Sequence, residues 1–168
     1  MTKQNIHQPK NNPKNIRQDR KELKVSAIEN GTVIDHIPPL SVFQVIRILN
    51  LDNITNQIMI GTNLDSQKLG KKGIIKVSNK YFESEEINKI ALVAPSATLI
   101  VIKDYTVVYK AKVEIPDHIK KIVKCINPNC ITNHENIPTK FSVMDKVDLR
   151  LHCHYCEKDT KKELISFV

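Results

Sequence analysis

Tryptophan is absent from this 168-residue sequence, and only eight other aromatic side chains and four glycines occur. The low aromatic content leaves few rings on which single-stranded bases could stack, which argues against single-strand nucleic-acid recognition. The glycines, at positions 31, 61, 70 and 73, are too scattered to form the loop that cradles a nucleotide phosphate. Sites that depend on either feature are therefore not expected.

Long apolar segments are also missing. No run reaches the roughly 18 apolar residues that cross a bilayer, and the first residues lack the apolar core of a secretory signal. The longest candidate, 91–102, is interrupted by Pro95, Ser96 and Thr98. We therefore predict a cytoplasmic protein without membrane association.

Recognisable catalytic combinations are absent as well. The sequence has no Ser-His-Asp set in a familiar context and no cysteine that stands apart as a nucleophile. These absences predict that the chain is not itself an enzyme.

What the sequence does contain is two close pairs of cysteines in its last third. Cys125 and Cys130 are separated by four residues that include Pro128, and Cys153 and Cys156 by two. Pairs of this spacing supply two sulfurs each from a tight turn, and the segment between them folds back to complete a tetrahedral zinc site. One zinc ion with four cysteine ligands is the prediction.

Such a zinc ion is expected to be structural, because four sulfurs leave no open position for water or substrate. A zinc enzyme would need that open position. The alternative is two disulfides, which the reducing environment expected for this chain disfavours. The nearby His134, His152 and His154 are interpreted as surface residues rather than further ligands.

Positive charge is concentrated at the N-terminus. The chain carries a formal net charge of +8, and residues 1–24 hold seven basic and two acidic side chains. Residues 1–20 are rich in Asn, Gln, Lys and Pro, a composition that predicts a disordered basic tail, with a functional arm as the alternative. A zinc-ribbon protein that binds nucleic acid through this tail is a rival hypothesis, which steeply salt-dependent binding would support.

The hydrophobic pattern predicts an α+β fold. Apolar stripes at helical spacing indicate helices over 42–49 and over 84–94, the second with Ser84 as N-cap. Extended segments are predicted at 23–27, 32–37, 57–62, 74–78, 97–103 and 105–113, and a short helix at 118–124. This order gives a ferredoxin-like β-α-β-β-α-β sheet domain followed by a small zinc-ribbon-like β domain.

Two features of the first domain admit either a structural or a functional interpretation. Asp35 and His36 lie side by side at a predicted strand end between isoleucines, where they either cap the strand or bind a nucleotide. Lys76 and Lys110 lie on predicted strands, as solvated charges or as point-charge ligands of a phosphate. Sequence alone does not bring these four residues together.

Several motifs in combination give the chain a family resemblance. They are GTVIDHIP at 31–38, IMIGTNL at 58–64, KGIIKV at 72–77, APSAT at 94–98 and a cysteine set ending in CHYCEK at 153–158. With these motifs the chain resembles the regulatory chain of aspartate carbamoyltransferase from about residue 23 to residue 156. Ser26 and Ile100 depart from the acidic residue and the asparagine that the family commonly has there.

The resemblance implies a non-catalytic subunit that transmits allosteric control of pyrimidine biosynthesis. Residues 21–115 would form a nucleotide-binding allosteric domain that dimerises, and residues 116–168 a zinc domain that contacts the catalytic chain. The expected effectors are CTP and ATP, and neither nucleic acid nor membrane is an expected partner. The residues that match the family's nucleotide site are Val25, Ala27, Ile28, Val33, Asp35, His36, Lys76, Ile102, Tyr105, Val107 and Lys110, and those that match its metal site are Cys125, Cys130, Cys153 and Cys156.

Overall fold

The structure is a computed structural model that describes residues 26–168. The predicted tail at 1–20 and the nucleotide-site candidate Val25 lie outside the described residues. The extended segment predicted at 23–27 is described only at its end, where Ser26 and Ala27 are in no strand.

The first part of the chain forms a five-stranded antiparallel sheet covered by two helices. Its strands are β1 (Gly31–Ile37), β2 (Ile58–Ser66), β3 (Gly70–Ser78), β4 (Thr98–Lys103) and β5 (Thr106–Lys112), and its helices are α1 (Val42–Ile48) and α2 (Ser84–Val93). The strand order is β2-β3-β1-β4-β5. The first four strands and the two helices have the predicted β-α-β-β-α-β arrangement, and β5 adds an edge strand as a hairpin.

Alternation along the strands determines which face of this sheet meets the helices. Ile34, Ile75 and Leu99 occupy one paired row of β1, β3 and β4, and all three are buried. Val42 of α1 and Ile90 of α2 belong to the same core. Because neighbouring residues on a strand point to opposite faces, the residues at alternate positions, such as 33 and 76, lie on the face away from the helices.

Helix α2 begins one residue away from the predicted cap. Glu83, not Ser84, is the N-cap, and its backbone N–H donates to Glu86 Oε2 at 2.9 Å, in a reciprocal capping box. The acidic side chains of this first turn also interact favourably with the helix dipole. The helix ends at Val93, two residues before Pro95, since proline cannot continue the hydrogen-bonded ladder.

The β2–β3 hairpin is longer than the hydrophobic pattern predicts. The polar stretch expected to be a loop continues both strands, and only residues 67–69 form the turn. Asn63 has a φ of 57° at an irregularity between Gly61 and Leu64, and Lys71 pairs with Asp65 at 2.6 Å beyond it. The turn predicted at Asp104 is present.

The last part of the chain forms a small β structure. Its strands are β6 (His118–Lys120), β7 (Val123–Lys124), β8 (Lys140–Asp145), β9 (Arg150–Cys153), β10 (Asp159–Lys161) and β11 (Ser166–Phe167), in a four-stranded sheet of order β10-β9-β8-β6 and a β11-β7 pair. The helix predicted at 118–124 is therefore wrong. Lys121 has a φ of 60°, which no right-handed helix accommodates, and the buried Ile119 pairs with Phe141 of β8.

One hydrophobic core includes residues from both sheets and from the connection between them. Val113 and Ile115 of that connection are buried in the same cluster as Ile34 and Phe141. In the part of the chain that the structure describes, no helix has the length and apolar character needed to cross a bilayer.

Candidate metal centre and charged sheet face

The four cysteines converge at one end of the small β structure. Cys125 follows β7, Cys130 precedes a single helical turn at Ile131–Asn133, Cys153 ends β9, and Cys156 lies in the turn towards β10. All four Sγ atoms lie within 4.8 Å of one another. The two pairs predicted from spacing therefore meet as one group.

The sulfur distances fit a tetrahedral metal ion. Cys125 Sγ lies 3.5 Å from Cys156 Sγ, and Cys130 Sγ lies 3.9 Å from Cys153 Sγ. A tetrahedron with metal–sulfur bonds of about 2.3 Å has sulfur–sulfur edges of about 3.8 Å, whereas a disulfide bond is about 2.05 Å long. All four cysteines are free thiols, so the arrangement fits a metal ion and not the alternative of two disulfides.

Backbone and amide hydrogen bonds hold the first metal loop in place. The Asn133 side-chain amide donates to the carbonyl of Cys125 at 3.0 Å and to that of Asn127 at 2.7 Å. The Cys130 N–H donates to the Asn127 carbonyl at 3.0 Å, which closes the loop between the two cysteines. Asn133 is a positioning residue that spacing alone does not identify.

The electrostatic environments of the thiols differ. Burial raises the pKa of Cys125 and of Cys153. Burial also acts to raise the pKa of Cys156, but hydrogen bonds from the Asn127 side chain and the Lys158 backbone outweigh it and lower that pKa to about 6. A bound divalent cation favours the thiolate form of every coordinating cysteine.

The three nearby histidines have other neighbours. His134 Nε2 lies 2.7 Å from the Pro128 carbonyl oxygen, and His152 Nδ1 lies 2.7 Å from Asp159 Oδ1. The His154 ring meets the ring of Tyr155 edge-on at 5.2 Å. Across residues 26–168, the four cysteines form the one group of three or more Cys, His, Asp or Glu side chains with metal-binding geometry.

A second cluster of predicted residues lies on the sheet face opposite the helices. Val33 of β1 pairs with Lys76 of β3 on one side and with Ile100 of β4 on the other, and Ile100 pairs with Lys110 of β5. Directly paired residues share a face of the sheet, so these four residues form a row across that face, with a lysine at each end and two apolar residues between them. Lys110 is exposed, whereas Lys76 is partly buried and its Nζ donates to the Ser26 carbonyl at 2.6 Å. Burial lowers the pKa of Lys76, and the charge of Asp35 opposes that change.

Asp35 and His36 lie at one end of this face. They occupy a bulge in β1, where the pairing with β3 shifts between Ile34 and Ile37, and His36 has a φ of 58°. Asp35 accepts from the His36 N–H at 2.7 Å and pairs with Lys72 Nζ at 2.7 Å. His36 Nδ1 is buried 3.3 Å from Asp35 Oδ2, without hydrogen-bond geometry. Bulges commonly re-aim side chains next to binding sites.

Lys72 is a charged residue of this face that the sequence interpretation missed. It belongs to the KGIIKV motif, four residues before Lys76. Positions i and i+4 of a strand share a face, so that spacing was the signal by which Lys72 could have been found.

The remaining candidates gather at the opposite end of the face, near the β4–β5 turn. Ile102 pairs with Val107 across the hairpin, and the Tyr105 N–H donates to the Glu29 carbonyl at 2.9 Å, next to the buried Ile28. Ala27 is the neighbouring exposed residue. The face is therefore a strip of three parts: a largely apolar end, a middle row with two lysines, and an end with Asp35 and His36.

Two family profiles match most of the chain. One, described as "Aspartate carbamoyltransferase regulatory chain, allosteric domain", matches residues 23–114. The other, described as "Aspartate carbamoyltransferase regulatory chain, metal binding domain", matches residues 117–166.

Curated relatives carry the same description over nearly their whole length. An aspartate carbamoyltransferase regulatory chain from Bacteroides fragilis is 52% identical over 151 residues, which cover 90% of this chain and 99% of the relative. One from Pyrococcus abyssi is 53% identical over 146 residues, which cover 86% and 96% respectively. Because these matches include both the charged sheet face and the four cysteines, the chain belongs to the family of aspartate carbamoyltransferase regulatory chains, with an allosteric and a metal-binding domain and without the role of the catalytic subunit.

Proposed function

We propose that this chain binds the nucleotides CTP and ATP on the charged sheet face and passes their effect to the catalytic chain of aspartate carbamoyltransferase. The observation that carries the proposal is the row of Lys76, Val33, Ile100 and Lys110, which bears a lysine on each side of an apolar centre. Two ammonium groups on one face provide the point charges that a polyphosphate requires.

The division of the strip into three parts supports a specific orientation of the nucleotide. Backbone groups beside Ile28 and Tyr105 would hydrogen-bond the base edge, while Ile102 and Val107 supply apolar contact. Lys76 would bind ribose or phosphate oxygens, and Lys110 and His36 would bind the triphosphate. Asp35 would contact the sugar or a group near the phosphates and, through its ion pair with Lys72, hold that lysine towards the site.

For the metal centre we propose zinc, held by Cys125, Cys130, Cys153 and Cys156. Four soft sulfur donors in a tetrahedral arrangement are typical of structural zinc sites. The small β domain, which we assign to residues 116–168, is short, and metal binding contributes directly to the folding of small modules of this kind. This domain would contact the catalytic chain, and residues 21–115 would form the nucleotide-binding domain.

In this scheme CTP stabilises an assembly of low activity and ATP one of high activity, so the chain would control pyrimidine biosynthesis in the cytoplasm. Neither nucleotide can shift that equilibrium by more than the difference between its affinities for the two states, which is typically about 1–3 kcal/mol. The regulatory chain itself performs no chemistry; it changes the relative stability of two states of its partner.

We also propose that the chain forms a homodimer through β5. This edge strand pairs only with β4 in the described sheet, and it exposes large apolar side chains, with Val107 55% and Tyr109 54% accessible. An unpaired edge with exposed apolar residues is a template for pairing with another strand. A second copy of β5 would continue the sheet at this edge and cover Tyr109, whose pairing with Val101 puts it on the face opposite Lys110.

The nucleotide proposal is tested by calorimetry on the zinc-loaded chain. Lys110→Ala should weaken CTP binding roughly 10- to 100-fold, because a hydrogen bond to a charged group contributes about 1.5–3 kcal/mol. Lys68→Ala, which removes an equal charge from the exposed β2–β3 turn, is the matched control and should bind as the wild type does. Equal CTP affinity in all three proteins would contradict the assignment of the sheet face.

A further inference from the structure

A cavity in the metal-binding part of the chain belongs to neither site described above. Its volume is about 800 Å³, and it lies between the loop that follows the first metal pair and the β7–β11 pair. This volume falls within the range of roughly 300–1,000 Å³ that is typical of small-molecule sites. The residues that bear on its chemistry are Lys121, Lys124, Asn133, Ile137, Thr139 and Phe167.

The side chains that line this cavity carry two positive charges and one negative charge, and the two lysines form no ion pair in the described residues. Lys121 and Lys124 both line it, both are exposed, and neither forms a salt bridge with another residue of the described range. Glu135 is the one acidic side chain on its wall. The position of Lys121 is fixed, because its N–H donates to the Thr139 carbonyl at 3.0 Å and its φ is 60°.

A buried hydroxyl in the wall lacks a partner. Thr139 is 6% accessible, and its Oγ1 makes no hydrogen bond. A buried polar group in that condition costs roughly 1–3 kcal/mol. Because Thr139 is among the residues that line the cavity, an occupant with an acceptor oxygen would offer this hydroxyl the partner it lacks.

The remaining wall is apolar and is connected to the metal loop. Ile137 and Phe167 provide apolar surface, and Phe167 pairs with Val123, two residues before Cys125. Asn133, also in the wall, donates to the carbonyls of Cys125 and Asn127. An occupant would therefore touch the elements that position one half of the cysteine group.

We propose that this cleft is a second ligand site, for a small organic anion that joins a carboxylate or phosphate to an apolar body. The two lysines bind the anionic group, the Thr139 hydroxyl donates a hydrogen bond, and the wall around Ile137 and Phe167 covers the apolar body. The site is separate from the charged sheet face and does not depend on nucleotide binding there.

Amide chemical shifts of the zinc-loaded full chain test this site, with phenyl phosphate as the probe. Titration should give saturable shifts at Lys121, Lys124 and Thr139, and benzylamine, which has a similar ring and the opposite charge, should give none. The double variant Lys121→Gln/Lys124→Gln should lose at least 10-fold in affinity. Lys120→Gln is the control, since Lys120 lies next to this pair in sequence but outside the cavity wall.

A second variant separates binding from folding. Thr139→Val removes the hydroxyl at nearly constant volume, so it should weaken phenyl phosphate binding without destabilising the free chain. Three results would overturn the proposal. They are equal shifts with benzylamine, shifts that rise linearly without saturation, and equal affinity of the double variant and Lys120→Gln for phenyl phosphate. Loss of phenyl phosphate binding in the assembly with the catalytic chain would also overturn it, because the cleft would then belong to the subunit contact. CTP titrated into the same samples reports on the sheet face separately.

Discussion

Replacement of Gly31 by alanine should destabilise the chain far more than the same change at Gly70. Both glycines have positive φ, +132° at Gly31 and +70° at Gly70, and a backbone conformation of that kind costs an L residue about 1–3 kcal/mol. The two positions differ in their surroundings. A Cβ on Gly31 would lie 2.1 Å from the Val77 carbonyl oxygen and 2.9 Å from the Asn79 nitrogen, whereas a Cβ on Gly70 would meet nothing within 4 Å.

The clash at Gly31 is with backbone, so no rotamer change relieves it. β1 would have to move away from β3 at its first pair, Gly31 with Ser78, and each hydrogen bond lost there costs about 0.5–1.5 kcal/mol in addition to the strain. We expect Gly31→Ala to cost about 3–5 kcal/mol and Gly70→Ala about 1–2 kcal/mol. Urea unfolding of the zinc-loaded proteins, followed by far-UV circular dichroism, measures both. If Gly31→Ala cost no more than Gly70→Ala, the close approach of β1 to β3 would be refuted.

Three further outcomes are expected. Removal of the metal with a chelator should lower amide-exchange protection first across residues 118–168; unchanged protection there would contradict a structural zinc. Tyr109→Lys should shift sedimentation towards the monomer without changing the metal content, while Tyr81→Lys, at an exposed tyrosine outside β5, should leave sedimentation unchanged. Because burial lowers the pKa of Lys76, its positive charge is lost at a lower pH than in an ordinary lysine, so CTP affinity should decline early as the pH rises. Lys76→Arg, which stays charged, should remove that decline, and an unchanged pH profile would argue against Lys76 as a ligand.

The sequence predicted the structure correctly where one chemical requirement, such as metal coordination, determines both the type and the spacing of the residues. Cysteine pairs at metal-binding spacing predicted a group that the fold assembles from the end of β9 and from three loop positions. Apolar stripes likewise predicted both helices, and the sequence of extended and helical segments predicted the β-α-β-β-α-β arrangement. These signals are local and periodic, and burial in a common core enforces them.

The sequence misled where tertiary pairing outweighed local pattern. The segment 118–124 has apolar residues at spacings that a helix or two short strands can use, and the pairing of Ile119 with Phe141 decides in favour of strands. The part of the β2–β3 hairpin near its turn, residues 63–73, is mostly polar, so no hydrophobic alternation indicates that the strands extend that far. Lys72 was missed because its partner, Asp35, is 37 residues away in sequence and meets it only through the alignment of β1 with β3.

The buried connection between the two sheets limits how this molecule can be divided. Val113 and Ile115 are buried in one cluster with side chains from both halves. A cut at residue 115 or 116 would therefore expose apolar side chains of each half to water. Either half produced alone would expose an apolar patch to water and would tend to aggregate. The first domain and the metal-binding domain therefore share one hydrophobic core, and neither would keep its full apolar cover if it were produced alone.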